Sequence, residues 1–137
     1  MAKLKFEDVE LPITVEDIDK FEINMKLFLP QNFKNLILKY NGGLTDDSNL
    51  FDVLLSIKYG KQTIESVINT HQNIEKNIPK DYLPIASDWS DNTITICLKQ
   101  GNDYGKIVKF YFDTDEKPET IAKSLEELLG VNSIDEL

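Results

Sequence analysis

Val15, Ile18, Phe21 and Met25 recur three or four residues apart, and this spacing predicts an amphipathic helix starting near Val15. Thr14 followed by Asp17 supplies an N-cap and an acidic first turn, which satisfy amide groups the helix leaves unpaired. Phe33, Leu36, Ile37 and Tyr40 fall at i, i+3, i+4 and i+7 and predict a second helix, opened by Leu29-Pro30. Gly42 or Gly43 can take the left-handed conformation that stops it. Upstream, Phe6, Val9, Leu11 and Ile13 show no clear period and fit an edge strand or loose packing.

The apolar run Leu50-Phe51-Asp52-Val53-Leu54-Leu55 reads as a strand over residues 50–57. Ile64, Val67, Ile68, His71, Ile74 and Ile78 then give the stripe of a third helix, from about Thr63 to Asn77, ended by Pro79. Three strands follow, at residues 83–88, 93–99 and 106–113. In the last two, Ile94, Ile96 and Leu98 alternate with Thr93, Thr95 and Cys97, and Val108, Phe110 and Phe112 alternate with Ile107, Lys109 and Tyr111. Ile94, Ile96, Val108, Phe110 and Phe112 are expected to share one core face. Gly101-Asn102-Asp103 marks a hairpin between the two strands. The last helix has two possible starts, Pro118 in its first turn or Ser124 with Glu127 as a capping box, and Gly130 stops it. These elements predict an α+β fold, an antiparallel sheet packed with N-terminal, middle and C-terminal helices. No linker or repeat interrupts residues 1–137, which are expected to form a single domain.

Charge narrows the partners. The net charge is −9, and all 15 basic residues are lysines. An acidic chain without arginine repels a phosphate backbone and lacks the planar fork that reads it, which argues against direct nucleic-acid binding. A basic protein partner is the natural complement, although acidity also serves plain solubility. No apolar stretch approaches the roughly 18 residues of a membrane span, and Glu7 and Asp8 stand where a signal peptide would turn apolar. Cys97 is the only cysteine, so no internal disulfide forms, and a reducing, cytoplasmic setting fits. A monomer without membrane contact is expected.

Catalytic chemistry has few carriers. Cys97 lies within a strand pattern and His71 on a helical apolar stripe, positions of packed residues rather than of a nucleophile and its base. They are also too few for a zinc site. Asp113-Thr114-Asp115 begins like a calcium loop, but Lys117 and Pro118 occupy a ligand and the glycine position. No nucleotide-binding or hydrolase signature occurs, so neither enzyme activity, cofactor nor metal is expected. What remains is a surface. Asp52, Asp113 and Asp115 fall in or beside turns, as do Asp46, Asp47, Asp88, Asp91 and Asp103, and Trp89, the lone tryptophan, sits between Asp88 and Asp91. Trp89, Asp46, Asp47, Asp88, Asp91 and Asp103 are the candidate partner-binding residues, since aromatic side chains in such settings anchor interfaces. The plainer alternative is that aspartates mark turns and Trp89 folds onto the core.

Four phrases carry a resemblance: Leu29-Pro30, Asn41-Gly42-Gly43, Leu83-Pro84-Ile85-Ala86 and Lys109-Phe110-Tyr111-Phe112-Asp113. In that order, closed by Ser124-Leu125-Glu126-Glu127-Leu128-Leu129, they resemble the Smi1/Knr4 family, or SUKH superfamily, from about Glu16 to Gly130. The resemblance implies an immunity protein that binds and neutralises a cognate toxin domain, often a nuclease. The alternative it admits is a regulatory or scaffold module like the fungal members linked to cell-wall synthesis. It favours the Ser124 start of the last helix. The chain departs from the family where a glycine-bearing turn usually follows the LPIA phrase and Trp89-Ser90-Asp91-Asn92 stands instead, and where Lys99 replaces a common serine.

Overall fold

The computed structural model describes residues 6–45, 51–90, 92–112 and 114–137. Among them one seven-stranded antiparallel sheet runs in sequential order: β1 (Phe6–Glu7), β2 (Gly43–Thr45), β3 (Val53–Leu54), β4 (Tyr82–Ser87), β5 (Thr93–Cys97), β6 (Ile107–Phe110) and β7 (Glu119–Ala122). Helices α1 (Val15–Met25) and α2 (Gln31–Lys39) lie between β1 and β2. Helix α3 (Ile64–Val67) continues as a π-helical segment (Ile68–Ile74) before β4, and α4 (Leu125–Leu129) follows β7. The fold is α+β, as the periodicities predict. Because each strand reverses the one before, successive connections alternate between the two ends of the sheet.

The N-terminal helices form for the reasons legible in the chain. Thr14 Oγ1 accepts the Asp17 N–H at 3.1 Å and Asp17 Oδ2 accepts the Thr14 N–H at 3.0 Å, a reciprocal cap. Ile18 and Phe21 are buried with Phe33, Leu36 and Ile37 in the main core. Val15, expected on the same stripe, is 62% exposed. As the first helical residue it points back over the cap, beyond the covered turn. Helix α2 is tied down at both ends: Asn32 Nδ2 donates to Glu126 Oε1 at 2.9 Å, and Lys39 Nζ donates to the carbonyls of Asp135 and Leu137 at 3.1 and 2.9 Å. Ser124 Oγ accepts the Glu127 N–H at 3.0 Å, and Gly130, at φ +71°, ends α4, so the last helix takes the Ser124 start.

Gly42 and Gly43 do not stop α2 as expected; an extended Tyr40 does, at φ −137°. The glycines permit close approach instead. A Cβ on Gly42 would lie 2.8 Å from Ser56 Cβ, and one on Gly43 would lie 2.9 Å from the Glu7 carbonyl oxygen, at φ of +80° and +128°. Asn41 beside them is buried and fully used. Its Nδ2 donates to the carbonyls of Leu11 (2.8 Å) and Ile57 (3.0 Å), and its Oδ1 accepts the Ile57 N–H (2.8 Å). Asn-Gly-Gly is thus the joint between the segment before α1 and the segment after β3.

Three further expectations are corrected. The strand placed at 50–57 is only Val53–Leu54, with Leu50 outside the described residues; beyond it Ser56 bridges to Thr63 in parallel sense. An unbroken apolar run carries no period to mark where pairing stops. The middle helix widens into π geometry, with the Glu75 N–H reaching the Thr70 carbonyl at 2.8 Å, and it ends at Ile74, before Pro79. The wider turn carries Ile74 outward, to 67% exposure, and brings Gln72 inward, where Nε2 donates to the carbonyls of Pro79 and Tyr82. Finally, Ile94 and Ile96 do not share a face with Val108 and Phe110. The register pairs Ile96 with Ile107 and Ile94 with Lys109, while Thr95 pairs with Val108 and Thr93 with Phe110. All of β5 is buried, so both faces are covered. Phe110 stays buried on the second face, edge-on to Tyr82 at 5.3 Å.

Candidate partner-binding surface at one end of the sheet

The turn between β4 and β5 is built around one carboxylate. Asp88 Oδ1 accepts the N–H groups of Ser90 (2.9 Å) and Asn92 (3.0 Å), the reach that lets an aspartate fold the backbone that follows it. Asp88 Oδ2 accepts from Asn92 Nδ2 (3.2 Å) and pairs with Lys109 Nζ at 3.0 Å. Asn92 Oδ1 in turn accepts the Phe112 N–H at 3.1 Å, joining the turn to the chain leaving β6. From the neighbouring strand, Asp52 Oδ2 accepts the N–H of Trp89 itself at 2.8 Å. On this frame the Trp89 side chain stands 70% exposed. It does not fold onto the core.

The alternating connections gather charge here. Asp52 enters β3, Asp88 leaves β4, and residues 114–118 link β6 to β7, all at the same end of the sheet. Asp115 and Glu116 are exposed there, beside Lys117. Tyr111 registers the local field. Its hydroxyl donates to Glu119 Oε1 at 2.9 Å, and its pKa is pushed up to about 12, first by that hydrogen bond, then by burial and by the charges of Glu119, Glu116 and Asp88. Lys109 lies over the Tyr111 ring, 5.2 Å from its centre, while pairing with Asp88. Asp52, Tyr111, Glu116 and Glu119 join this surface, beyond the residues expected from the sequence. Their grouping follows from the strand order: in a meander, every second connection meets at one end.

The expected residues divide. Asp88 and Trp89 stand together in the β4–β5 turn. Asp103 lies in the β5–β6 turn, at the opposite end of the sheet, about 15 Å of strand away, and pairs with Lys106 at 2.9 Å. Topology separates it from Trp89. Asp46, Asp47 and Asp91 lie outside the described residues. Cys97 is 1% exposed. The His71 ring stacks on Phe112, 4.5 Å between centres, with Nδ1 3.0 Å from Asn77 Oδ1 and 3.4 Å from Glu75 Oε2. Among the described residues no three His, Cys, Asp or Glu side chains converge to hold a metal ion, and no helix is long and apolar enough to cross a membrane.

The turn should respond to acid. Burial pushes the Asp88 carboxyl up, but hydrogen bonds from Lys109 and Asn92 and the Lys109 charge outweigh it, so its pKa falls below the ordinary 3.8. A lowered folded-state value means the stability Asp88 contributes is present above the unfolded value and lost as pH falls through the folded one. Asp88→Asn is therefore expected to flatten the acid limb of the stability curve below about pH 4 and leave it unchanged near neutrality in slope. Urea titrations at stepped pH check this; an unaltered acid limb would show that the carboxylate does not stabilise the fold.

The chain is similar to the SMI1 / KNR4 family (SUKH-1), whose model matches residues 12–130. No curated protein matches it.

Proposed function

The chain belongs to the SMI1/KNR4 (SUKH-1) family, and on that premise we propose that it is a cytoplasmic immunity protein, which binds a cognate toxin domain and neutralises it without turnover. The observation that carries this reading is an exposed tryptophan held by carboxylates at the acid-rich end of the sheet. A large aromatic ring kept in water is unfavourable for the free protein, whereas in an interface it supplies an anchor. The surrounding charge, within a net of −9, selects a basic partner such as a nuclease with a substrate groove, because opposed potentials raise the encounter rate. Burial of Cys97 and the stacking of His71 support a packing role for both, in keeping with inhibition by occupancy.

The test begins with the genomic neighbourhood: where a large secreted protein with a toxic C-terminal domain is encoded beside this chain, that domain is coexpressed with it. Growth arrest caused by that domain should be relieved, and the two purified proteins should elute as one complex whose association slows as salt is raised. Persistent arrest in the presence of folded, soluble chain would overturn the immunity reading. Capture of several unrelated partners by the same surface would instead favour a regulatory scaffold, as in the fungal members.

A further inference from the structure

We infer that Asp88 and Asp52 are positioning residues that hold Trp89 ready for its partner, and that their carboxylates do not themselves reach it. This rests on the binding role proposed above for the same turn. The hydrogen bonds account for both oxygens of Asp88 and tie Oδ2 of Asp52 to the turn. Asp88 spans Ser90, Asn92 and Lys109, with both its oxygens occupied inside the protein. Asp52 reaches across from β3 to the Trp89 amide. The residues on either side of the exposed ring are thus fixed from two strands, and the Lys109 that neutralises Asp88 is itself mostly covered. Acids near an interface ordinarily act through charge, setting association rate and salt dependence. An acid whose oxygens are taken up inside the protein, Oδ1 by two backbone N–H groups and Oδ2 by the side chains of Asn92 and Lys109, acts differently, by lowering the cost of ordering the turn when the partner arrives.

Trp89 is the sole tryptophan, so its fluorescence reports this turn with or without a partner. The experiment compares Asp88→Ala, Asp88→Asn and Asp52→Ala with the unaltered full chain. Asparagine removes the charge but keeps an oxygen in place for the Ser90 and Asn92 amides; alanine removes both. Fluorescence anisotropy of Trp89 should fall, and acrylamide quenching rise, in Asp88→Ala and Asp52→Ala, while Asp88→Asn stays close to the unaltered chain. With the toxin domain, the alanine variants should dissociate roughly three- to tenfold faster, the scale of ordering one turn and its side chain, with the salt dependence of association kept. If asparagine and alanine at Asp88 behave alike and both flatten the salt dependence, the carboxylate works by charge and the inference fails. Unchanged Trp89 mobility in every variant overturns it as well. Should Asp88→Ala not fold, Asp52→Ala against Asp52→Asn carries the same comparison, since asparagine there keeps an oxygen for the Trp89 N–H. Absence of any toxin complex would count against the immunity reading, while the mobility measurements still decide the role of the two carboxylates.

Discussion

Phe33→Ala is expected to lower folding stability by roughly 3–5 kcal/mol, the range for deleting a buried aromatic ring. Phe33 is fully buried, the largest such side chain in the described core, and it sits on α2 among Ile18, Phe21, Leu36 and Ile37. The cost should fall at the upper end because the site cannot collapse. Asn32 holds the start of α2 to Glu126, and Lys39 holds its end to the carbonyls of Asp135 and Leu137, so the helix cannot settle into the cavity without breaking these ties. Lys34 adds a link to Glu22 of α1 at 3.5 Å. Against a total stability of about 5–15 kcal/mol, such a loss leaves the variant marginal. Urea unfolding should show a lower midpoint at constant slope, and Phe33→Leu should recover much of the difference. A loss under about 1 kcal/mol would mean that the helix pair does not organise the core.

How much of this was legible follows from what each signal encodes. The two N-terminal helices and their cap were readable because period and cap chemistry are local: Thr14, Asp17 and the Phe33 stripe need no distant partner to be understood. The faces of β5 and β6 were not, because both sides of β5 are covered, and alternation assigns a core face only where the other side meets water. The register that pairs Ile94 with Lys109 is a tertiary fact. The π-helical turn that exposes Ile74 and buries Gln72 likewise has no mark in an apolar count that assumes a period of 3.6. For the surface, sequence picked out Trp89 and Asp88 as neighbours in one turn, which they are. It could not tell that Asp103 belongs to the far end, or that Tyr111, Glu116 and Glu119 share the near one, since that depends on the order of strands in the sheet.

On the proposed immunity reading, Trp89→Ala should weaken binding of the toxin domain by about 2 kcal/mol or more, close to thirtyfold in Kd, almost all of it in a faster dissociation rate. Folding stability should stay within about 0.5 kcal/mol, because the side chain is 70% exposed and the turn is held by its backbone amides rather than by the ring. This pairing of a large binding loss with a small stability change separates an anchor from a core residue. Two controls sharpen it. Phe28, at 82% exposure in the α1–α2 connection, is as apolar and more exposed, so Phe28→Ala tests whether any surface aromatic would do. It should leave dissociation unchanged. Glu116→Gln, at the acid-rich end but on the rim, should lower the association rate and its salt dependence while dissociation holds, since exposed charge acts over distance and is screened. Equal effects of Trp89→Ala and Phe28→Ala, or a binding loss from Trp89→Ala that tracks a loss of stability, would remove the tryptophan turn from the interface and leave the partner to another face of the molecule.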